Sequence, residues 1–441
     1  MARTILAGEP SPGAIAQRLG QALGTQFRWT DGLAKRYAEK FARGTRPRMK
    51  TVVAFLTSDA TFNAAFARSK VKPAFVDRFA SPPAMLPVRA AAQWAIPAIE
   101  TEGALAAWLH TSPEELEWFA DLRSFGARNC QEKLRHYHYR LLAKPSGSVR
   151  LIEAPKQRMK QLQRAILAGI LERIPTHDAA HGFVKGRSIK TFAAAHTGKR
   201  VVLRMDLRDF FPSIRRARVQ ALFRTAGYPE RVADLLGGLC TTASPRSVFS
   251  AKHYSSLEFR ADPLALFQAW QTCAIPHLPQ GAPTSPAIAN LCAHRADCRL
   301  AGLAREAGAV YTRYADDLAF SGGEKFERCA ERIAVHAAAI VLEEGFEVNH
   351  RKTRIMRRGV RQYLAGVVAN DRVNVVRVDF DGLKATLTNC VRHGPASQNR
   401  DGHTNFRAHL AGRVSFVAMV NPQKGAKLRR IFEQIAWVEE P

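Results

Sequence analysis

Tyr311-Thr-Arg-Tyr-Ala-Asp-Asp-Leu-Ala-Phe-Ser-Gly322 places two adjacent carboxylates, Asp316 and Asp317, between two short apolar runs. Both runs are β-prone and the polar pair falls at the bend, so the pattern predicts a hairpin with the acids at its tip. Adjacent carboxylates repel and are costly to hold together without a cation. Clusters of this kind serve as magnesium ligands in phosphoryl-transfer sites. Asp is also common in ordinary turns, so the pair takes its meaning from two further segments.

The first of these is Val201-Val-Leu-Arg-Met-Asp206, followed by Leu-Arg-Asp-Phe-Phe-Pro-Ser-Ile214. An apolar strand delivers Asp206 at its end, and Pro212 is expected to stop the extended run. Metal-dependent nucleotidyl transfer needs a third carboxylate facing the first pair, and a separate strand can supply it. Two cations then lie roughly 3.5–4 Å apart and hold the attacking and leaving oxygens. A strand-end cap or salt-bridge partner is the alternative use of Asp206. The second segment is His277-Leu-Pro-Gln-Gly-Ala-Pro-Thr-Ser-Pro-Ala-Ile-Ala-Asn-Leu291. Gln280 and Gly281 precede a helix start, with Ser285 as a natural N-cap and Pro286 in the first turn. Ile288, Leu291 and Cys292 follow at helical spacing, and Gly308 ends the pattern.

Taken in order, the three segments resemble motifs A, B and C of reverse transcriptases. The match extends over most of residues 130–437, and the bacterial retron type is the nearest in pattern. Gly182-Phe-Val-Lys-Gly-Arg-Ser-Ile189 and the Phe-Phe-Pro-Ser ending of motif A point there. The resemblance implies an α+β right-hand polymerase with fingers, a palm built on an antiparallel sheet and a helical thumb. It assigns Asp206, Asp316 and Asp317 to two Mg2+ ions, with Mn2+ as an alternative. Phe211 matches a steric gate against the ribose 2′-hydroxyl, although a core aromatic is the plainer use of such a ring. Asp209 matches a position whose backbone lies near the triphosphate, and Gln280 one near the incoming nucleotide. Lys352 matches the motif D lysine. It is either a general acid toward pyrophosphate or one phosphate-contacting charge among several. Leu142-Ala-Lys-Pro-Ser-Gly-Ser-Val-Arg-Leu-Ile152 matches the fingers hairpin, with Lys144 and Arg150 on its arms for the nucleotide phosphates.

Two retron signatures are partial. Phe192-Ala-Ala-Ala-His196 keeps the His of an Asn-Ala-x-x-His segment without its Asn, and Leu364-Ala365-Gly366 stands where Val-Thr-Gly is usual. His196 serves either that motif or a hydrogen-bonded core. Group II intron-like and other defence polymerases share the same catalytic core and stay open as alternatives. So does an RNA-binding scaffold with a vestigial site.

Composition suits a nucleic-acid enzyme. Lys and Arg number 66 against 38 Asp and Glu, a formal charge of +28, which implies polyanionic partners. Residues 128–164 hold ten Lys/Arg against two Glu, and residues 351–377 hold eight against one Asp. These blocks flank the polymerase motifs and are read as template and primer tracks. His136, Tyr137, His138 and Tyr139 are available to stack on bases or to pack on the core. The expected partners are a structured non-coding RNA serving as template and primer, the RNA–DNA duplex and dNTPs, with an effector protein as a further candidate and no membrane. A retron context also implies anti-phage defence. Seven cysteines occur singly without zinc spacing, which fits buried thiols in a reducing bacterial cytoplasm. No apolar run reaches about 18 residues.

The expected organisation is a helical accessory region (1–126), fingers (127–200), a palm with motifs A to D (201–360) and the palm end with a helical thumb (361–441). Ser112, Pro113 and Glu115 announce one helix through a capping box, with Leu116, Trp118, Phe119 and Leu122 as its apolar face. Arg43, Arg46, Arg48 and Lys50 cluster near Pro47. Residues 238–275 read as a surface insertion loop, and helices are expected at 286–306 and 325–344. His409–Pro422 resembles a thumb helix, followed by Lys424, Lys427, Arg429 and Arg430.

Overall fold

The structure is a computed structural model. It describes all residues except 42–45, 69–82, 129–130, 145–147, 250–261 and 438–441, and of Ala143 only the backbone. Arg43, Pro73, Pro82, the Pro145–Gly147 turn and the Lys252–Ser256 stretch therefore lie outside the described residues. The chain divides into two compact units, Met1–Pro175 with Phe211–Cys292, and Thr176–Phe210 with Ala293–Pro441.

The first unit begins with five helices, Ala2–Leu6, Pro12–Leu23, Arg28–Phe41, Met49–Ser58 and Ala60–Arg68. Their apolar residues recur at helical spacing and bury one core of Ile5, Ile15, Leu19, Leu33, Tyr37, Val52, Phe55 and Phe62. Each such side chain contributes roughly 1.5–3 kcal/mol by leaving water. The helix Pro113–Ala120 starts as expected, with Ser112 Oγ accepting from the Glu115 amide at 3.1 Å. The capping box is only half made, because the Glu115 carboxylate turns instead to Thr111 and Arg158. Leu122 lies beyond the helix end, and Trp118 is exposed.

Strands β1 (Tyr137–Ala143) and β2 (Val149–Pro155) form an antiparallel hairpin in the register Tyr137↔Pro155. Every second residue of β2 faces inward, and Leu151 packs with Val248, Phe249 and Cys273. The insertion is thus not a plain surface loop. Arg246–Phe249 and Pro263–Cys273 are helical, and Val248 and Phe249 are buried because they cover the hairpin. Tyr137 is core, His136 packs on Trp118 and Phe119, and His138 is exposed.

The second unit is built on a four-stranded antiparallel sheet of order β4-β5-β3-β6. Its strands are β3 (Val201–Asp206), β4 (Ala309–Tyr314), β5 (Asp317–Gly322) and β6 (Arg354–Arg357). The extended run of β3 ends at Asp206 itself, and Pro212 lies inside the one-turn helix Phe210–Ser213 rather than terminating the strand. The helix Glu324–Glu343 packs against β3 and β5 through Phe326, Ala330, Ile333, Ala337 and Val341, while Cys329 and Ile340 are only partly covered. The small hairpin β7 (Tyr363–Leu364) and β8 (Val367–Val368) leads into the helices Arg377–His393, Phe406–Val420 and Pro422–Glu433. Leu364, Leu383, Leu387, Leu410, Val414 and Leu428 form their common core. Cys298 is exposed and Cys329 half-buried, so the cysteines are not uniformly buried. Among the described residues no helix is long and apolar enough to cross a membrane.

Candidate active site

Three carboxylates meet at one end of the second unit's sheet. Val201, Val202, Leu203 and Met205 bury β3 in the middle of the sheet, which delivers Asp206 at its rim. Asp206 and Asp317 are direct cross-strand partners between β3 and β5. Asp316 sits in the two-residue turn Ala315–Asp316 joining β4 to β5, whereas Asp317, also expected at the tip, is already the first residue of β5. The Leu207 amide donates to the Asp316 carbonyl at 2.8 Å, and the Asn349 amide to the Asp206 carbonyl at 2.7 Å, so backbone bonds fix both carriers. Burial, then the charges of Asp317 and Asp206, raise the Asp316 pKa to about 6. Burial raises the Asp317 pKa as well, against the pull of Arg204.

Two cations balance this charge. Lys352 Nζ lies 2.9 Å and 3.1 Å from the two Asp206 oxygens. It is the last residue of the one-turn helix His350–Lys352. Arg204 reaches Asp317 Oδ1 through Nε at 2.9 Å and Nη2 at 2.8 Å, and its guanidinium lies over the Tyr363 ring. Among the described residues no three His, Cys, Asp or Glu side chains are already arranged to hold a metal ion together, and Lys352 and Arg204 each contact one of the three carboxylates. The donor set nevertheless fits hard divalent cations: three carboxylates, mutually repelling, with at least one raised in pKa by its neighbours. Asp209 follows with a left-handed backbone, φ 44°, its carboxylate 3.6 Å from Arg208.

The remaining predicted residues belong to the first unit. Phe211 is half-buried, whereas Phe210, in the second unit, is core and packs on Phe346. Lys144 closes the hairpin end by donating its amide to the Ser148 carbonyl at 2.8 Å, and Arg150 is exposed on β2. Gln280 is held by β2: the Glu153 amide donates to its carbonyl at 2.9 Å, and its own amide donates to Glu153 Oε2 at 3.3 Å. Gly281 has φ 136°, and a Cβ there would meet the Glu153 carbonyl at 3.0 Å, so glycine is required for this approach. Ser285 is not the N-cap expected of it; its hydroxyl donates to the Pro279 carbonyl at 2.6 Å and ties the loop to the helix Ser285–Glu306.

Several participants escape a reading of motifs. Glu153 is buried with His277 at 3.0 Å and Ser244 at 2.5 Å; burial opposes charge on His277, but Glu153 raises its pKa to about 10. Arg204 was visible only as a charge inside an apolar strand. His196, by contrast, takes the second of its two sequence readings, a buried hydrogen-bonded core histidine, with its ring bonded to Ser321 at 2.6 Å and Thr312 at 2.7 Å.

A reverse transcriptase (RNA-dependent DNA polymerase) family model matches residues 142–380, more than half of the chain. The retron Mx65 reverse transcriptase of Myxococcus xanthus is 42% identical over 339 residues, 77% of this chain and 73% of that one. The chain belongs to the retron-type reverse transcriptases. It is an RNA-directed DNA polymerase. The retron Mx162 reverse transcriptase of the same organism is 37% identical over 74% of this chain and 65% of its own. The retron Ec86 reverse transcriptase of Escherichia coli is 28% identical over 64% and 76%. The altered Asn and Val-Thr-Gly signatures therefore do not remove the retron-type polymerase from its family. Among solved structures, the foamy viral protease–reverse transcriptase in complex with double-stranded DNA overlays on 70% of this chain and 46% of its own. The TM-score is 0.31 and the identity 14%, a likeness too distant to compare folds.

Proposed function

We propose that this polymerase extends a primer hydroxyl with dNTPs by two-metal catalysis at Asp206, Asp316 and Asp317, copying a dedicated structured RNA. The observation that carries this reading is the cross-strand pairing of Asp206 with Asp317 beside Asp316, whose pKa burial and like charge raise to about 6. A site so charged is costly unless cations are part of its function.

The three carboxylates would hold two divalent ions, which when bound lower the pKa of the primer hydroxyl and neutralise the phosphates. The protein's own contribution is positioning and charge. Arg204 keeps Asp317 in place from within the sheet, and backbone bonds fix the carriers of Asp206 and Asp316. Lys352, already on Asp206, is the group to hand a proton to the pyrophosphate leaving group. Phe211 is assigned to ribose selection, Gln280 and the Asp209 backbone to the incoming nucleotide, and Lys144 and Arg150 to its phosphates. In this scheme β1–β2 belongs to the fingers, the four-stranded sheet to the palm and the last three helices to the thumb. Lys424, Lys427, Arg429 and Arg430 are then available to the duplex backbone.

The retron part of the reading supplies the template: a structured non-coding RNA encoded nearby, yielding a DNA joined to RNA, in the service of anti-phage defence. The test is to purify the protein from its native host and sequence the nucleic acid that accompanies it. A discrete RNA-linked DNA, absent when Asp316→Asn and Asp317→Asn are combined, is the expected result. Heterogeneous or absent DNA, with incorporation still seen on an added primed RNA, would remove the dedicated RNA and keep the polymerase. Loss of phage resistance in a host carrying the same double variant tests the defence role.

A further inference from the structure

The turn that carries the acid pair is held from behind by a buried ion pair. Ala315 occupies the left-handed region at φ 54°, a conformation that a residue with a Cβ keeps only where its surroundings enforce it. Arg313, two residues earlier, is enclosed, with 1% of its side chain exposed. Its Nη1 donates to the Ala315 carbonyl at 3.1 Å. The rest of the guanidinium grips Asp297, Nε to Oδ1 at 2.8 Å and Nη2 to Oδ2 at 2.6 Å. Asp297, on the helix Ser285–Glu306, is fully buried and also accepts from the Tyr311 hydroxyl at 2.8 Å. The Arg313 ring partner is Phe210, at 5.8 Å. On the other side, the Arg313 amide donates to the Ala179 carbonyl and the His181 amide to the Arg313 carbonyl, each at 2.7 Å.

A buried ion pair is weak as a stabilising device, because apolar residues of similar volume often serve as well or better. What apolar residues cannot do is donate to the Ala315 carbonyl. The bidentate fork fixes the plane of the guanidinium, and that plane fixes where the third nitrogen points.

We infer that Asp297 is a positioning residue for catalysis: through Arg313 it locks the Ala315 turn, so that Asp316 and Asp317 are presented to the metals in one geometry. The inference rests on the assignment of Asp316 and Asp317 as metal ligands. It extends the catalytic apparatus to a helix that carries no acid of the triad.

The test compares Asp297→Asn with the double variant Asp297→Val and Arg313→Met on a primed RNA template, recording thermal midpoint, kcat, KM for dNTP and the Mg2+ concentration at half-maximal rate. Asp297→Asn is expected to lower kcat by about 10- to 100-fold, the scale of a sub-ångström to 1 Å misplacement. Half-saturation should move to higher Mg2+, with KM for dNTP within about twofold of wild type. The double variant is expected to regain the thermal midpoint and not the rate. Return of kcat and of Mg2+ half-saturation together with stability would overturn the inference, leaving the pair a packing element. Should the double variant fail to fold, Asp297→Asn assayed below its own midpoint still decides, since unchanged kcat and Mg2+ dependence there overturn it equally. Asp316→Asn runs alongside: if it still incorporates dNTP, the carboxylate assignment itself fails, whatever Asp297 does.

Discussion

The Lys352 ammonium forks the Asp206 carboxylate, 2.9 Å from one oxygen and 3.1 Å from the other. If Asp206 holds a divalent ion as proposed, a cation already in contact with its carboxylate is an internal competitor for that ion. Lys352→Met should therefore bind divalent cation more tightly, by about two- to fivefold, the equivalent of the roughly 0.5–1 kcal/mol that a half-exposed pair supplies. Turnover should fall at the same time if Lys352 is the proposed proton donor. Mn2+ binding followed by electron paramagnetic resonance, beside steady-state incorporation, reads both. Weaker or unchanged binding would show that the ammonium does not compete.

Asp316 carries the cost of the acid cluster. Its carboxyl is raised to about 6 by burial and then by Asp317 and Asp206. Removing the charge while keeping the shape should stabilise the protein, so Asp316→Asn is expected to melt higher than wild type in chelator at pH 7.5. The gain is about 1–3 kcal/mol, bounded by the free-energy equivalent of the shift. Added Mg2+ should raise the wild-type midpoint and leave the variant unmoved, since only a protein that binds the ion is stabilised by it. A variant melting lower than wild type in chelator would contradict this.

His196 gives the fold a pH dependence of known sign. Burial lowers its pKa to about 3 from an ordinary 6.5. Its neutral ring joins Ser321 on β5 to Thr312 on β4. A depressed folded pKa contributes stability above the unfolded value, lost as pH falls below about 6.5 toward 3. Chemical denaturation from pH 8 to 4 should show wild type losing stability over that window. His196→Gln should start about 1–3 kcal/mol lower at pH 8 with a shallower slope. Parallel slopes would place the proton uptake elsewhere.

Gly182 abuts the Ala315 turn that carries Asp316. A Cβ there would lie 2.5 Å from the Ala315 amide nitrogen and 3.2 Å from the Tyr314 carbonyl carbon. Backbone cannot swing aside as a long side chain can. Gly182→Ala should cost about 1–3 kcal/mol in urea denaturation and reduce incorporation, because the displaced atoms precede Asp316. Wild-type stability and rate in that variant would mean that the approach is looser than the structure has it.

The acid pair was legible because two chemical oddities coincide there: a hairpin pattern and charges that repel. Asp206 was legible because an apolar strand ends on it, and Lys352 through its motif. What lay hidden depends on contacts distant in sequence. Nothing local marks Asp297 as the partner of Arg313, or Glu153 as the partner of Gln280 and His277, since each pairing exists only once helix and strand are packed. Capping was misread for a related reason. Ser285 has the residue type of an N-cap, but its hydroxyl is drawn to Pro279 by the turn before it, and Glu115 leaves its box for Arg158, 43 positions away. The insertion reads as a loop because of its polar Ser244-Pro-Arg-Ser247 and Lys252-His-Tyr-Ser-Ser256 stretches, while Val248 and Phe249 between them find their burial against β2.

The most direct measurement is extension of a primed RNA template with dNTPs and Mg2+ by wild type and by the combined Asp316→Asn, Asp317→Asn variant, both shown to be folded by circular dichroism. Two-metal catalysis at these carboxylates predicts Mg2+-dependent products from wild type and none above background from the variant. Continued incorporation by the folded variant would contradict the account and move the catalytic centre away from the β4–β5 turn.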